Sequence, residues 1–113
     1  MRLAVYGAVL LTIPEQCGEY GVSEHIDYEL KTWPEFFDHI LRRKKTFEIR
    51  NDDRNFKIGD LVLLREYEPI SSKYTGRSIL VRILYITSFG QYPGFVVFSF
   101  DHVRSATAGG EGE

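Results

Sequence analysis

A single cysteine, Cys17, gives this sequence no means of forming an internal disulfide, which fits a reducing compartment and leads us to expect a cytoplasmic protein. The histidines are as sparse. His25, His39 and His102 are scattered, with no HxxH, CxxC or HExxH spacing, so neither a metal site nor a cofactor is expected. Long hydrophobic runs are also missing. The apolar stretch at residues 3–13 is only eleven residues long and is closed by Pro14, too short to span a bilayer. Arg2 before it resembles the start of a secretory signal, but no small-x-small cleavage site follows, and Pro-Glu-Gln before Cys17 is a poor lipobox. No membrane association is expected. Neither charge sign dominates: 14 Lys and Arg stand against 16 Asp and Glu. The imbalance is local, because Glu15, Glu19, Glu24, Glu111 and Glu113 lie outside residues 25–104, which hold 13 bases against 11 acids. That is compatible with a phosphate-facing patch and far from announcing one.

What is abundant is aromatic: 8 Phe and 7 Tyr, many inside short apolar runs, which favours strands. At 113 residues the chain is one domain able to bury a core without disulfides. Three segments are expected: an N-terminal extension at 1–24, either an added strand or disordered; a folded domain at 25–104; and a disordered, Gly-rich acidic tail at 105–113.

One helix is signalled from Pro34 to Arg43. Thr32 or Trp33 can cap it, Pro34 suits the first helical position and Glu35 complements the dipole. Phe36, Phe37, Ile40 and Leu41 form one apolar stripe. Strands are expected at 46–50, 61–67, 77–87 and 95–100, separated by polar loops at 51–55 and 68–76 and a turn at 91–94. The fold class is therefore mainly β (α+β), a small barrel with one helix preceding its first main strand.

A set of short motifs then occurs in order: Tyr28-Glu29-Leu30-Lys31, Trp33-Pro34-Glu35-Phe36-Phe37, Lys45-Thr46-Phe47-Glu48-Ile49-Arg50, Ile58-Gly59-Asp60, Tyr74-Thr75-Gly76-Arg77 and Pro93-Gly94-Phe95. Together they resemble the ASCH-like branch of the PUA-like superfamily, in particular a group of short bacterial and phage proteins without assigned function. The resemblance implies a PUA-like β-barrel and an association with RNA or nucleotides. It also implies a Gly-x-Lys segment followed by Arg at a cleft mouth. Lys45 and Arg50 take the Lys and Arg places, and the glycine place holds Arg43 or Lys44. Where acyl-removing members carry a threonine nucleophile, three residues after the lysine, this chain has Glu48, so hydrolysis is not inherited by position.

By alternation, Thr46, Glu48 and Arg50 share one strand face, and Phe47 and Ile49 the other. A carboxylate beside a guanidinium can bond a base edge or act as a general base; it can equally be a surface ion pair of little worth. Lys45, at the helix–strand junction, could reach a phosphate, activate a nucleophile, or stay a solvated helix end. The candidate ligand-binding residues are Lys45, Glu48, Arg50, Arg54 and Tyr74; were the protein an enzyme, the catalytic set would be Lys45, Glu48 and Thr46. Arg65 and Arg77 are read as structural pairs and Trp33 as a staple or barrel plug. Phe47, Phe95 and Phe98 are read as core, and Tyr74 as the exposed aromatic. The expected partner is RNA or a nucleotide-like ligand. The alternatives are a small amidohydrolase or nuclease acting on a modified nucleoside or RNA, and a protein–protein interaction module of phage origin.

Overall fold

A computed structural model describes residues 25–107, together with the backbone of two short paired strands, β1 (Leu3–Ala4) and β2 (Leu11–Thr12). The rest of the expected N-terminal extension and residues 108–113 lie outside the described residues.

The domain proper starts with β3 (Tyr28–Thr32), whose Leu30 and Thr32 point inward. Trp33 takes extended backbone (ψ 150°) at the N-cap, as a residue before proline prefers, and makes no side-chain cap bond. Pro34 opens α1 (Pro34–Leu41), which buries Phe37 and Ile40 against β5. The helix ends at Leu41, short of Arg43, because Arg43 turns left-handed (φ 65°). Four strands follow: β4 (Phe47–Asn51), β5 (Leu61–Glu68), β6 (Lys73–Thr87) and β7 (Phe95–Thr107).

All five strands from β3 onward make one sheet, in the order β3-β5-β6-β7-β4. β3 runs parallel to β5, with Thr32 opposite Glu66, and the other neighbours are antiparallel. Register shifts between Arg65 and Tyr67, Leu80 and Val81, and Ile83 and Tyr85 bend the long strands, as bulges do. The sheet so curls into a half-barrel around Phe37, Ile40, Phe56, Val62, Leu64, Ile79, Val81, Phe98 and their neighbours. Its two edges, β3 and β4, are joined by a side chain: Arg50 Nη2 donates to the Lys31 carbonyl at 2.6 Å. The expected mainly β fold with one short helix is what the chain forms.

Further boundaries differ from expectation. A strand, β3, precedes the helix. β6 begins at Lys73, so Tyr74 lies in a strand, opposite Tyr67, and not in a loop. β7 runs through Thr107 because 105–107 pair with Arg77–Ile79 of β6. These last residues are held by a backbone ladder beyond the core, which hydrophobic alternation cannot reveal. Among the described residues no helix is long and apolar enough to cross a membrane.

Candidate ligand-binding site

The seam between β3 and β4 is built from the inverted face of β4. Glu48 is only 5% exposed, while Phe47 is 42% and Ile49 52% exposed. Phe47 is therefore not core, against expectation. The inversion begins at the helix end, where the left-handed Arg43 lets the N–H groups of Lys44 and Lys45 both donate to the His39 carbonyl, at 2.9 and 3.1 Å. Lys45 then folds back: its Nζ donates to the Phe47 carbonyl at 2.6 Å and to Glu48 Oε2 at 3.1 Å, and it lies 4.8 Å from the Phe47 ring centroid. Arg50 Nε donates to the other carboxylate oxygen, Glu48 Oε1, at 3.3 Å. With a cation on each oxygen, the carboxylate can sit inside a small domain. The apolar side chains of the strand are turned outward instead.

Glu48 and Arg50 line a solvent-open cleft of about 300 Å³ with Lys31, Thr32, Trp33, Phe36, Asn51 and Phe95. Thr32 is 2% exposed, and its Oγ1 has no hydrogen-bonding partner in the protein. Such an orphan is uncommon in a folded interior. Trp33 is neither staple nor plug. It is half exposed and stacks on Phe36, with centroids 6.4 Å apart and planes 21° apart. Phe36, expected to be buried with the helix stripe, is 40% exposed on the cleft wall.

A second cleft, of about 380 Å³, adjoins the first, since Lys31 and Arg50 line both. Its other walls are Glu29, Leu30, Arg54, Arg65 and Tyr74. Arg50, Arg54 and Tyr74, proposed from sequence as ligand contacts, thus meet in one place. Arg65 is paired as expected, but with Glu29 (3.3 Å) and not with its neighbour Glu66. Arg77 is the structural pair it was read to be: Nε and Nη2 donate to Glu66 Oε1 and Oε2 at 2.8 and 3.0 Å.

Thr46 falls elsewhere. β4 begins at Phe47, so alternation does not extend back to Thr46, which is exposed and lines a third cleft with Arg43, Lys45, Asp101 and His102. Lys45 reaches Glu48 from that side and does not line the seam cleft. There His102 Nδ1 accepts from Arg43 Nε at 2.9 Å. Burial, then the Arg43 charge, hold the imidazole below its ordinary value. Phe89, which sequence did not single out as exposed, is 89% exposed. Among the described residues no three His, Cys, Asp or Glu side chains gather as a metal-ion site.

Sequence reasoning did not include Lys31, Thr32 or Trp33 in the site. A signal existed: β3 places Leu30 and Thr32 on the inward face, and the polar member of that pair has no apolar reason to be there.

The chain is similar to an uncharacterized 12.9 kDa protein in the GpA 3′ region of Escherichia phage P2, 34% identical over 65 residues. The match spans 58% of this chain and 58% of the length of that relative. Residues 27–100, which contain α1, β4 and the whole seam, match a domain of unknown function, DUF3850, and the chain belongs to that family.

Proposed function

We propose that the domain is a PUA-like, ASCH-like module that binds RNA or a nucleotide, with the base entering the seam cleft. The observation that carries this reading is Glu48, a buried carboxylate held between Lys45 and Arg50 on the wall of an open cleft. A carboxylate accepts hydrogen bonds from the amino and imino groups of base edges. Trp33 and Phe36 supply an apolar face for the ring. Two further features support the resemblance. Arg43, one of the two residues that can take the glycine place of the family signature, adopts the left-handed conformation that glycine adopts readily. The cleft is open along one side, which suits a strand better than a sealed substrate.

Fluorescence anisotropy with labelled single-stranded RNA tests the proposal. Arg50→Ala weakens binding by about tenfold, as loss of a charge-assisted contact implies, and Lys45→Ala weakens it less, through the loss of its hold on Glu48. Affinity falls with added salt, since phosphate contacts release counterions. Glu48→Gln shifts base preference more than overall affinity, because it removes no positive charge. Unchanged binding in all three folded variants overturns the proposal.

A second reading, a small amidohydrolase or nuclease acting on a modified nucleoside or RNA, is favoured by the 3.1 Å contact between Lys45 Nζ and Glu48 Oε2, a buried pair suited to proton transfer. The hydroxyl on the cleft that Glu48 lines is Thr32, whereas Thr46 shares the third cleft with Lys45. Hydrolysis of an acylated nucleoside by the wild-type protein, abolished in Glu48→Gln with binding retained, would select this reading; no turnover by the wild type removes it.

A further inference from the structure

The second cleft concentrates positive charge in a protein whose net charge is −2. Lys31, Arg50, Arg54 and Arg65 line it, against one carboxylate, Glu29. Three of these cations are held by aromatic rings. The Arg65 guanidinium lies 3.8 Å from the Tyr74 ring centroid, Lys31 Nζ 4.4 Å from that of Tyr67, and Arg54 6.0 Å from that of Tyr28. The Tyr28 hydroxyl also donates to the Arg54 carbonyl at 2.7 Å, tying the loop that carries Arg54 to β3. The acidic contacts of Arg54 and Arg65 are thin: a single 3.3 Å bond from Arg65 Nη1 to Glu29, and a 3.8 Å approach of Arg54 Nε to Asp53.

Ring faces hold a guanidinium differently from carboxylates. They fix its plane and spare its edge, where the N–H donors lie. An arginine held by a ring keeps its N–H donors free for an anion, and its fork matches phosphate oxygens. Lys31 and Arg50 stand on the boundary of both clefts, and Arg50 is itself braced by Glu48 and the Lys31 carbonyl. A base in the seam cleft therefore leaves its phosphate beside Arg54 and Arg65.

We infer that this basic cleft is a phosphate subsite, so that the ligand is a nucleotide unit carrying phosphate on the sugar of the base held in the seam cleft. The inference rests on the base-binding reading above and adds a separate set of residues, Arg54 and Arg65, which do not line the base cleft.

Calorimetric titration of the full chain with adenosine, guanosine, cytidine and uridine, with their 5′-monophosphates, and with inorganic phosphate separates the two ideas. For the preferred base, the monophosphate binds about tenfold or more tightly than the nucleoside, as expected for charge-assisted bonds, and added salt shrinks the gap. Arg54→Ala and Arg65→Ala each narrow the gap and leave nucleoside affinity unchanged. Arg65→Lys, which keeps the charge but not the fork, recovers only part of it, guarding against a folding effect. If nucleosides bind and phosphate adds nothing, or the gap survives both alanine variants, the subsite is refuted while the base reading stands. If nucleosides fail to bind but inorganic phosphate binds in an Arg54- and Arg65-dependent way, the subsite stands and the base reading falls. A short single-stranded RNA that outcompetes the monophosphate identifies the phosphate as part of a strand; equal competition identifies a free nucleotide.

Discussion

Glu48 on β4 and Glu66 on β5 are buried to the same degree, 5% and 4% exposed, and both face an arginine, but their hydrogen bonding differs. Glu66 accepts three short bonds. Arg77 grips it with two short bonds, Thr75 Oγ1 donates at 2.6 Å, and Arg77 is further held 4.9 Å from the centroid of the Phe37 ring. The Arg77 hydrogen bonds hold its carboxyl below the usual carboxylate range, against burial, which acts the other way. Glu48 has one contact per oxygen, at 3.1 and 3.3 Å, long for charge-assisted bonds. It faces an open cleft that also contains an orphan hydroxyl. A satisfied buried carboxylate braces the sheet; one with acceptor capacity left over is available to a ligand.

The sharpest way to break this comparison is to disrupt each buried ion pair. Arg77→Ala strands Glu66 in the interior and is expected to cost about 3 kcal/mol, the low end for breaking a buried pair, because Arg77 is itself partly exposed. Urea unfolding checks this. Glu48→Gln, by contrast, is expected to cost no more than about 1 kcal/mol, since Lys45 and Arg50 keep access to water. Equal losses at both positions would make Glu48 another structural brace.

The pH dependence sharpens the same contrast. Because the folded value of Glu66 is lowered from about 4.5, its contribution to stability is complete above that pH. It is lost as pH falls through the lowered value. The stability gap between wild type and Glu66→Gln should therefore be constant near neutrality and close on acidification below about 4.5. Urea midpoints measured across that range would contradict the assignment if the gap stayed constant.

The smallest effect is expected at Thr32. Thr32→Val removes a buried hydroxyl that has no partner, so stability should hold or rise by about 0.5 kcal/mol. Ligand affinity should nonetheless fall if the hydroxyl meets the base. A loss of stability near 2 kcal/mol in a thermal melt would show that the hydroxyl is satisfied after all.

Much of this protein was legible in its sequence because the signals are short in range. Pro34, Glu35 and the spacing of Phe37 and Ile40 define the helix, and the apolar runs at 61–67, 77–87 and 95–100 coincide with strands. The Lys45–Arg50 segment stood out by its alternation and its resemblance to a signature. What stayed hidden depends on partners distant along the chain. β3 is a five-residue strand whose place comes from parallel pairing with β5. Residues 105–107 are ordered by their ladder with β6, not by burial.

The direction of β4 belongs to the same class. Alternation established that Phe47 and Ile49 lie opposite Glu48 and Arg50, but period alone says nothing about which face meets the core. Hydrophobicity favours Phe47 inward. Tertiary structure reversed it, because Lys45 from the helix end and Arg50 at the seam supply the countercharges that let Glu48 enter. The sequence by itself determined the helix, the strand count after it and the residue types of the site. The closure of the half-barrel decided which of them meet, since only there does the β3 edge, with Lys31, Thr32 and Trp33, come alongside β4.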